Sequence, residues 1–66
     1  MPSYRIYRVG GGGRLVLGET FTAASDAEAV EHAAVLFRKG GEGELWCGGR
    51  LLGRFSKLGV FTPGVG

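Results

Sequence analysis

The sequence predicts an α+β domain of the order β-β-α-β-β, in which a four-stranded, largely antiparallel sheet carries one helix packed on one face. Three observations lead to this prediction. Residues 25–39 have the apolar spacing and the end signals of a helix. Four other segments show the alternation of apolar and polar residues that is typical of half-buried strands. Glycine-rich stretches separate the two strands of each pair, as expected for hairpins.

The first two strands are predicted at residues 3–9 and 14–23, with the four glycines Gly10–Gly13 between them. A phosphate-binding loop leads from its glycines into a helix and contains a lysine. Here the glycines lead into a strand and no lysine is near, so the sequence favours a hairpin turn. Gly18 indicates a β-bulge within the second strand, beyond which the register is left open.

The helix is predicted over Ser25–Lys39. Ser25 and Glu28 form an S-x-x-E capping box, in which each side chain accepts from a free amide of the first turn. Gly40 supplies the left-handed residue that commonly ends a helix. The apolar stripe that we expect to face the sheet contains Val30, Ala33, Ala34 and Phe37.

The third and fourth strands are predicted at residues 43–48 and 50–55, joined by a hairpin at Gly48-Gly49. Residues 1–55 therefore form a single small α+β domain. Residues 56–66 contain Pro63 and several glycines, and we expect a C-terminal tail that is flexible in part. Leu58, Val60 and Phe61 are apolar, and this composition gives a second prediction, that part of the tail packs back on the sheet.

One helix can cover only one face of a sheet, which leaves the other face open. Regular alternation predicts a sheet core made of Tyr4, Ile6, Leu15, Leu17, Phe21, Leu45, Cys47, Leu51 and Phe55. The same alternation places aromatic, basic and aliphatic residues together on the opposite face. The candidate interaction residues on that face are Arg5, Tyr7, Trp46, Arg50, Leu52 and Arg54.

The stretch E-L-W-C-G-G-R-L-L-G-R at residues 44–54, together with the M-P-S-Y start and the alanine-rich helix, resembles a group of short uncharacterised bacterial proteins of the alphaproteobacterial type. Their pattern begins M-P-x-Y, opens its helix with D-x-E-A and ends in E-L-W-x-x-x-R. The resemblance covers nearly all of residues 1–55, although Gly53 stands where the pattern has alanine. It implies the same fold and a bacterial cytoplasmic origin, and it implies no activity.

Composition limits the classes of function. A chain of 66 residues with 14 glycines gains little from its core, so we expect a homodimer or a bound protein partner. Cys47 is the only cysteine and cannot form an internal disulfide, which fits a reducing, cytoplasmic setting. No signal peptide and no membrane-spanning stretch is expected.

No catalytic residue, cofactor site or metal site is predicted. His32 is expected on the exposed side of the helix, where it pairs with Glu28, and Cys47 is expected in the core of a separate strand. A nucleophilic mechanism needs such groups in contact with each other. Asp26 is accounted for by the start of the helix. The protein is therefore expected not to be an enzyme.

Two classes of binding remain for the face that carries Trp46. Tryptophan, tyrosine and arginine are the residue types that dominate protein interfaces, and edge strands offer pairing with a second copy. The same residues can stack on the bases of single-stranded RNA or DNA, although a net charge of +2 attracts nucleic acid only weakly. A third possibility is that Leu58, Val60 and Phe61 fold over Trp46.

Overall fold

The computed structural model describes residues 1–64 and contains one helix and a five-stranded antiparallel sheet. The strands and the helix are β1 (Ser3–Val9), β2 (Leu15–Thr22), α1 (Asp26–Phe37), β3 (Gly43–Cys47), β4 (Arg50–Phe55) and β5 (Phe61–Pro63). The order across the sheet is β2-β1-β3-β4-β5, and α1 packs on one face. The predicted α+β class is therefore confirmed.

The number of strands differs from the prediction because part of the C-terminal tail is a strand. Phe55 in β4 lies opposite Phe61 in β5, and Arg54 lies opposite Thr62. The backbone turn before β5 is closed by Ser56, whose N–H donates to the carbonyl oxygen of Val60 at 2.9 Å. The tail thus adds a fifth strand at the edge of the sheet; its last two residues, 65 and 66, lie outside the described residues.

The predicted capping residues are present at both ends of α1, although the helix ends at Phe37, two residues before the predicted Lys39. The Glu28 N–H donates to the Ser25 hydroxyl at 3.2 Å, and the Glu28 carboxylate accepts from the Ala24 N–H at 3.1 Å. Gly40 has a φ of 101° and donates its N–H to the carbonyl oxygen of Phe37. Gly10–Gly13 join β1 to β2 as the predicted hairpin, with a short 3-10 turn at Gly11–Gly13.

A bulge at Gly18 reverses which residues of β2 face the helix. Tyr7 lies opposite Leu17 and Ile6 lies opposite Glu19, so Gly18 is an extra residue between the two pairs. Phe21, beyond the bulge, faces the helix and packs against the core. Leu15 and Leu17, before the bulge, lie on the other face and are 48% and 53% exposed. Their predicted place in the core is wrong, because a bulge shifts the alternation by one residue.

A second bulge, at Leu52, has the same effect in β4. Trp46 lies opposite Leu51 and Leu45 lies opposite Gly53, which leaves Leu52 as the extra residue. Leu52 is buried in the core, whereas Leu51 lies beside Trp46 on the other face. Arg50 turns to the helix side. The predictions that Leu51 lies in the core and that Leu52 and Arg50 lie on the face away from the helix are therefore wrong.

The core lies between α1 and the sheet face that it covers. Phe37 stacks on Phe55 with ring centroids 4.7 Å apart, and Tyr4 stacks on Phe21 at 5.6 Å. The buried apolar residues are Tyr4, Ile6, Ala23, Ala29, Ala33, Phe37, Leu45, Leu52 and Phe55. The alanines allow the helix to approach the sheet closely, and Gly43 allows the Phe37 ring to lie directly against β3.

Candidate interaction surface

The sheet face that α1 leaves uncovered is called the open face here. Residues directly opposite each other in an antiparallel pair have their side chains on the same face. The register therefore assigns to the open face Arg5, Tyr7, Val9, Leu15, Leu17, Glu44, Trp46, Leu51 and Arg54. These residues come from four adjacent strands, so they form one continuous surface.

Trp46 and Tyr7 lie at the centre of the open face. Their rings meet edge to face, with centroids 6.5 Å apart and planes at 84°. The indole N–H of Trp46 donates to Glu44 Oε1 at 3.0 Å, and Arg54 Nε donates to Glu44 Oε2 at 3.0 Å. The Glu44 side chain is only 11% exposed. Both carboxylate oxygens thus have a partner, and the charge of Arg54 is balanced at this point of the surface.

A hollow of about 310 Å³ lies at the centre of this face. It is lined by Tyr7, Leu15, Glu44, Trp46 and Gly48. The two aromatic rings and the leucine make most of its wall apolar, while Glu44 is held by its own hydrogen bonds. A hollow with such a lining is suited to receive an apolar or aromatic side chain.

The structure brings together four of the residues that the sequence predicts for this face, namely Arg5, Tyr7, Trp46 and Arg54. It does not place Arg50 and Leu52 there. Leu52 is part of the core, and Arg50 binds Asp26 at the start of α1 with distances of 3.0 and 3.2 Å. Both departures have the same cause, which is the bulge in β4.

Sequence reasoning missed four members of the open face: Leu15, Leu17, Glu44 and Leu51. For Leu15 and Leu17 the available signal was Gly18, because glycine inside a strand pattern often marks a bulge. For Leu51 the corresponding signal was Gly53, two residues further along β4. Glu44 was assigned to the correct face but was not selected, since a strand glutamate has no distinctive sequence signal.

The described part of the C-terminal tail does not cover the open face. Phe61 packs beside Phe55 on the helix side, with ring centroids 5.0 Å apart. Leu58 is 91% exposed. The possibility that these residues fold over Trp46 is therefore wrong for the described residues, because β5 extends the sheet sideways.

A polar cluster on the helix side joins the start of α1 to the sheet. Asp26 accepts a hydrogen bond from the Tyr4 hydroxyl at 2.9 Å and two from the Arg50 guanidinium. The hydrogen bonds from Arg50 and then from Tyr4 hold the pKa of Asp26 below its usual value. Burial and the bond to Asp26 raise the pKa of the Tyr4 hydroxyl. Asp26 thus does more than support the helix dipole, because it attaches α1 to both β1 and β4.

The other residues considered for chemistry have structural contacts. His32 is exposed, and its ring stacks on Phe21 with centroids 4.2 Å apart. Cys47 is a half-buried free thiol that packs against the core. Within residues 1–64 no group of three His, Cys, Asp or Glu side chains is placed to hold a metal ion. The one helix of the described chain is too short and too polar to cross a membrane.

Comparisons of the chain with models of protein families, with curated proteins and with solved structures find no match. Function is therefore inferred from the geometry and chemistry of the open face.

Proposed function

We propose that the protein is a non-enzymatic interaction module without a cofactor, and that its open face binds a second copy of the same chain. The observation that carries this proposal is the amount of apolar surface that this face leaves in contact with water. Leu15 and Leu17 are each about half exposed; Leu15 lines the hollow together with Tyr7 and Trp46, and Leu17 lies opposite Tyr7. Monomeric proteins rarely expose a contiguous apolar patch larger than a few hundred Å².

The charges on the open face are compatible with contact between the open faces of two identical chains. Glu44 is already bonded to Trp46 and Arg54, so covering it would not leave a carboxylate without a partner. Tryptophan, tyrosine and arginine are also the residues that contribute most to the binding energy of protein interfaces. A second copy would bring the same apolar and aromatic residues to this face.

The size of the face also suits a dimer. The molecule measures 33 × 22 × 21 Å, so one whole face offers on the order of 700 Å². A standard protein interface buries about 800 Å² on each partner. A two-fold contact of standard size would therefore use the entire open face, and the burial would compensate for the small core of a 66-residue chain.

Binding of single-stranded RNA or DNA to the same face is the second candidate. It is supported by Tyr7 and Trp46 as stacking platforms with Arg5 beside them. Fewer arginines are available to bind phosphate groups than the sequence predicts for this face, because Arg50 binds Asp26 and Arg54 binds Glu44. We therefore favour the second copy.

The proposal includes a bacterial cytoplasmic setting. Cys47 is a free thiol, and a reducing compartment keeps such a cysteine from forming disulfides between chains. The resemblance of residues 1–55 to short bacterial proteins supports the same setting.

Sedimentation equilibrium over a wide concentration range tests the proposal. We expect the wild-type chain to dimerise. Trp46→Ala should weaken the dimer by roughly 1,000-fold, because a two-fold contact contains the residue twice and each copy is worth about 2 kcal/mol, and Leu51→Lys should weaken it comparably. Val35→Ala is the matched control, because Val35 is 58% exposed on α1 and lies away from this face. Far-UV circular dichroism establishes that each variant is folded.

The proposal fails if the wild-type chain is monomeric at all concentrations, or if both open-face variants dimerise like the control. The same samples with a generic single-stranded oligonucleotide test the second candidate. Binding of the oligonucleotide that weakens steeply with salt and that Trp46→Ala abolishes would assign the open face to nucleic acid instead.

A further inference from the structure

The outer edge of β2 presents backbone groups that can pair with another strand. In the described sheet β2 is an outermost strand and pairs only with β1. Val9 donates its N–H to Glu42 on the β3 side, and Gly10 donates its N–H to Arg14 on the β2 side. The backbone groups of successive residues in a strand point alternately to its two sides. Arg8, like Gly10, therefore directs its N–H and C=O towards β2, where it exchanges hydrogen bonds with Val16, the residue opposite it. The N–H and C=O groups of Leu15 and Leu17 consequently point outward.

Between Arg14 and the bulge at Gly18, the three residues of this edge include no proline and no charged side chain, which are two of the features that usually protect a sheet from edge-to-edge association. Leu15, Val16 and Leu17 are consecutive, and each is about half exposed, at 48%, 55% and 53%. The opposite edge is different, because β5 has only three residues and ends in Pro63. A short edge strand with proline resists pairing, whereas an apolar edge strand invites it.

We propose that β2 pairs with β2 of a second copy in the antiparallel direction, with the two-fold axis at Val16. In this register Leu15 of one copy lies opposite Leu17 of the other, and their outward N–H and C=O groups form the hydrogen bonds. The leucines of both copies stay on the side of the open face, and both Val16 side chains stay on the helix side. A contact between identical strands is self-complementary about such an axis.

The bulge at Gly18 selects this register over its neighbours. If the axis lay at Leu17, Leu15 would oppose Glu19, whose side chain is on the other face of the sheet. If the axis lay at Leu15, most of the pairing would fall in the glycine turn at Gly11–Gly13. Only the axis at Val16 places apolar residues opposite apolar residues on both faces of the sheet. It pairs Leu15 with Leu17 on the open face and Val16 with Val16 on the helix side, all before the bulge at Gly18.

The charges near this axis are complementary as well. Arg14 of one copy would lie opposite Gly18 of the other and diagonal to its Glu19. Arg8 already donates two hydrogen bonds to Glu19, at 2.8 and 3.1 Å, and both reach Oε1. Arg14 of the second copy would approach Oε2. The two-fold axis produces this ion pair twice.

The edge contact goes beyond the open-face contact, because it lies in the plane of the sheet and leaves the open face accessible. A chain that makes both contacts touches two other copies, so the wild type would then sediment as an assembly larger than a dimer and Trp46→Ala would reduce it to the edge-paired dimer. Each has residues that the other does not use, with Val16 in the edge contact and Trp46 in the open-face contact. Variants of these two residues separate the two proposals.

Disulfide cross-linking tests the edge contact and its register. Val16→Cys is introduced into Cys47→Ser, so that the new thiol is the only one in the chain. Residues opposite each other in a pair without mutual hydrogen bonds have Cα atoms about 4.5 Å apart, within the range of a disulfide. We expect mild oxidation to convert most of the protein into a covalent dimer. The control is Val35→Cys in the same background, since Val35 has a similar exposure on α1.

Two further variants complete the design. Leu17→Pro in the Val16→Cys chain removes an outward N–H and should abolish the cross-link, whereas Leu17→Ala keeps that N–H and should retain much of it. Trp46→Ala in the Val16→Cys chain should still cross-link, which separates the edge contact from the open-face contact. The proposal is overturned if Val16→Cys cross-links no faster than Val35→Cys, or if the cross-link survives Leu17→Pro or disappears with Trp46→Ala.

Discussion

Leu51 and Leu52 are neighbours in β4 that lie on opposite sides of the sheet, and the same substitution in each should have different costs. Leu52 is 9% exposed and belongs to the core, while Leu51 is half-buried beside Trp46. Truncation of a buried leucine to alanine costs about 2–5 kcal/mol, depending on how well the site can close. We expect about 2–3 kcal/mol for Leu52→Ala, because it lies at the rim of the core. For Leu51→Ala we expect about 1 kcal/mol or less.

These losses are large for a chain of this size. A domain of 66 residues has a free energy of unfolding of about 3–10 kcal/mol. With a urea m-value of about 1 kcal/mol/M, Leu52→Ala should lower the denaturation midpoint by about 2–3 M. Leu51→Ala should lower it by about 1 M or less. Where Leu52→Ala is too unstable to measure, the pair Leu52→Val and Leu51→Val gives the same comparison with smaller losses.

Urea unfolding followed by far-UV circular dichroism provides the measurement. It is repeated at several protein concentrations, because dimerisation through the open face would add a concentration-dependent contribution from Leu51. The comparison is made at the lowest concentration. Equal losses for the two variants, or a larger loss for Leu51→Ala, would show that β4 has no bulge at Leu52 and that the regular alternation applies.

Three further predictions concern a close contact, a helix cap and a titrating group. Gly43→Ala should cost about 3 kcal/mol or more, because a Cβ atom there would collide with the backbone carbonyl oxygen of Tyr7 and lie 2.7 Å from the Phe37 ring. Gly49→Ala, with open space around it, is the control, and equal melting temperatures would contradict the packing. Ser25→Ala should lower stability by about 1 kcal/mol through loss of the cap, and Ser25→Asp should restore it in thermal melts. The pKa of Asp26 is held below its usual 3.8, so its contribution to stability is present above that pH and is lost as the pH falls through the lowered pKa. Urea midpoints should therefore show the difference between wild type and Asp26→Asn shrinking below pH 3.8, and a difference that is constant between pH 7 and pH 2 would refute this.

The sequence by itself determines the features that depend on neighbours along the chain. Ser25 and Glu28 specify where α1 begins, and Gly40 limits how far it can extend, because capping and a left-handed residue act within one turn. The hairpin at Gly10–Gly13 follows from local turn chemistry in the same way. The α+β class follows from these elements together, since one helix must cover one face of the sheet.

Which residues of β2 and β4 face the helix was decided by the tertiary structure, although Gly18 marked the possible bulge in β2. Gly18 and Leu52 each have no partner residue in the adjacent strand. Such an extra residue shifts the alternation, so the residues on one side of the bulge lie on the face opposite to the one that regular alternation predicts. For this reason Leu17 lies on the open face, whereas Arg50 lies beside the helix. The strand at Phe61–Pro63 likewise exists because β4 offers it a free edge. A local sequence pattern can show that a segment alternates, but only the partner strand determines which of its residues are extra and therefore which side chains reach the surface.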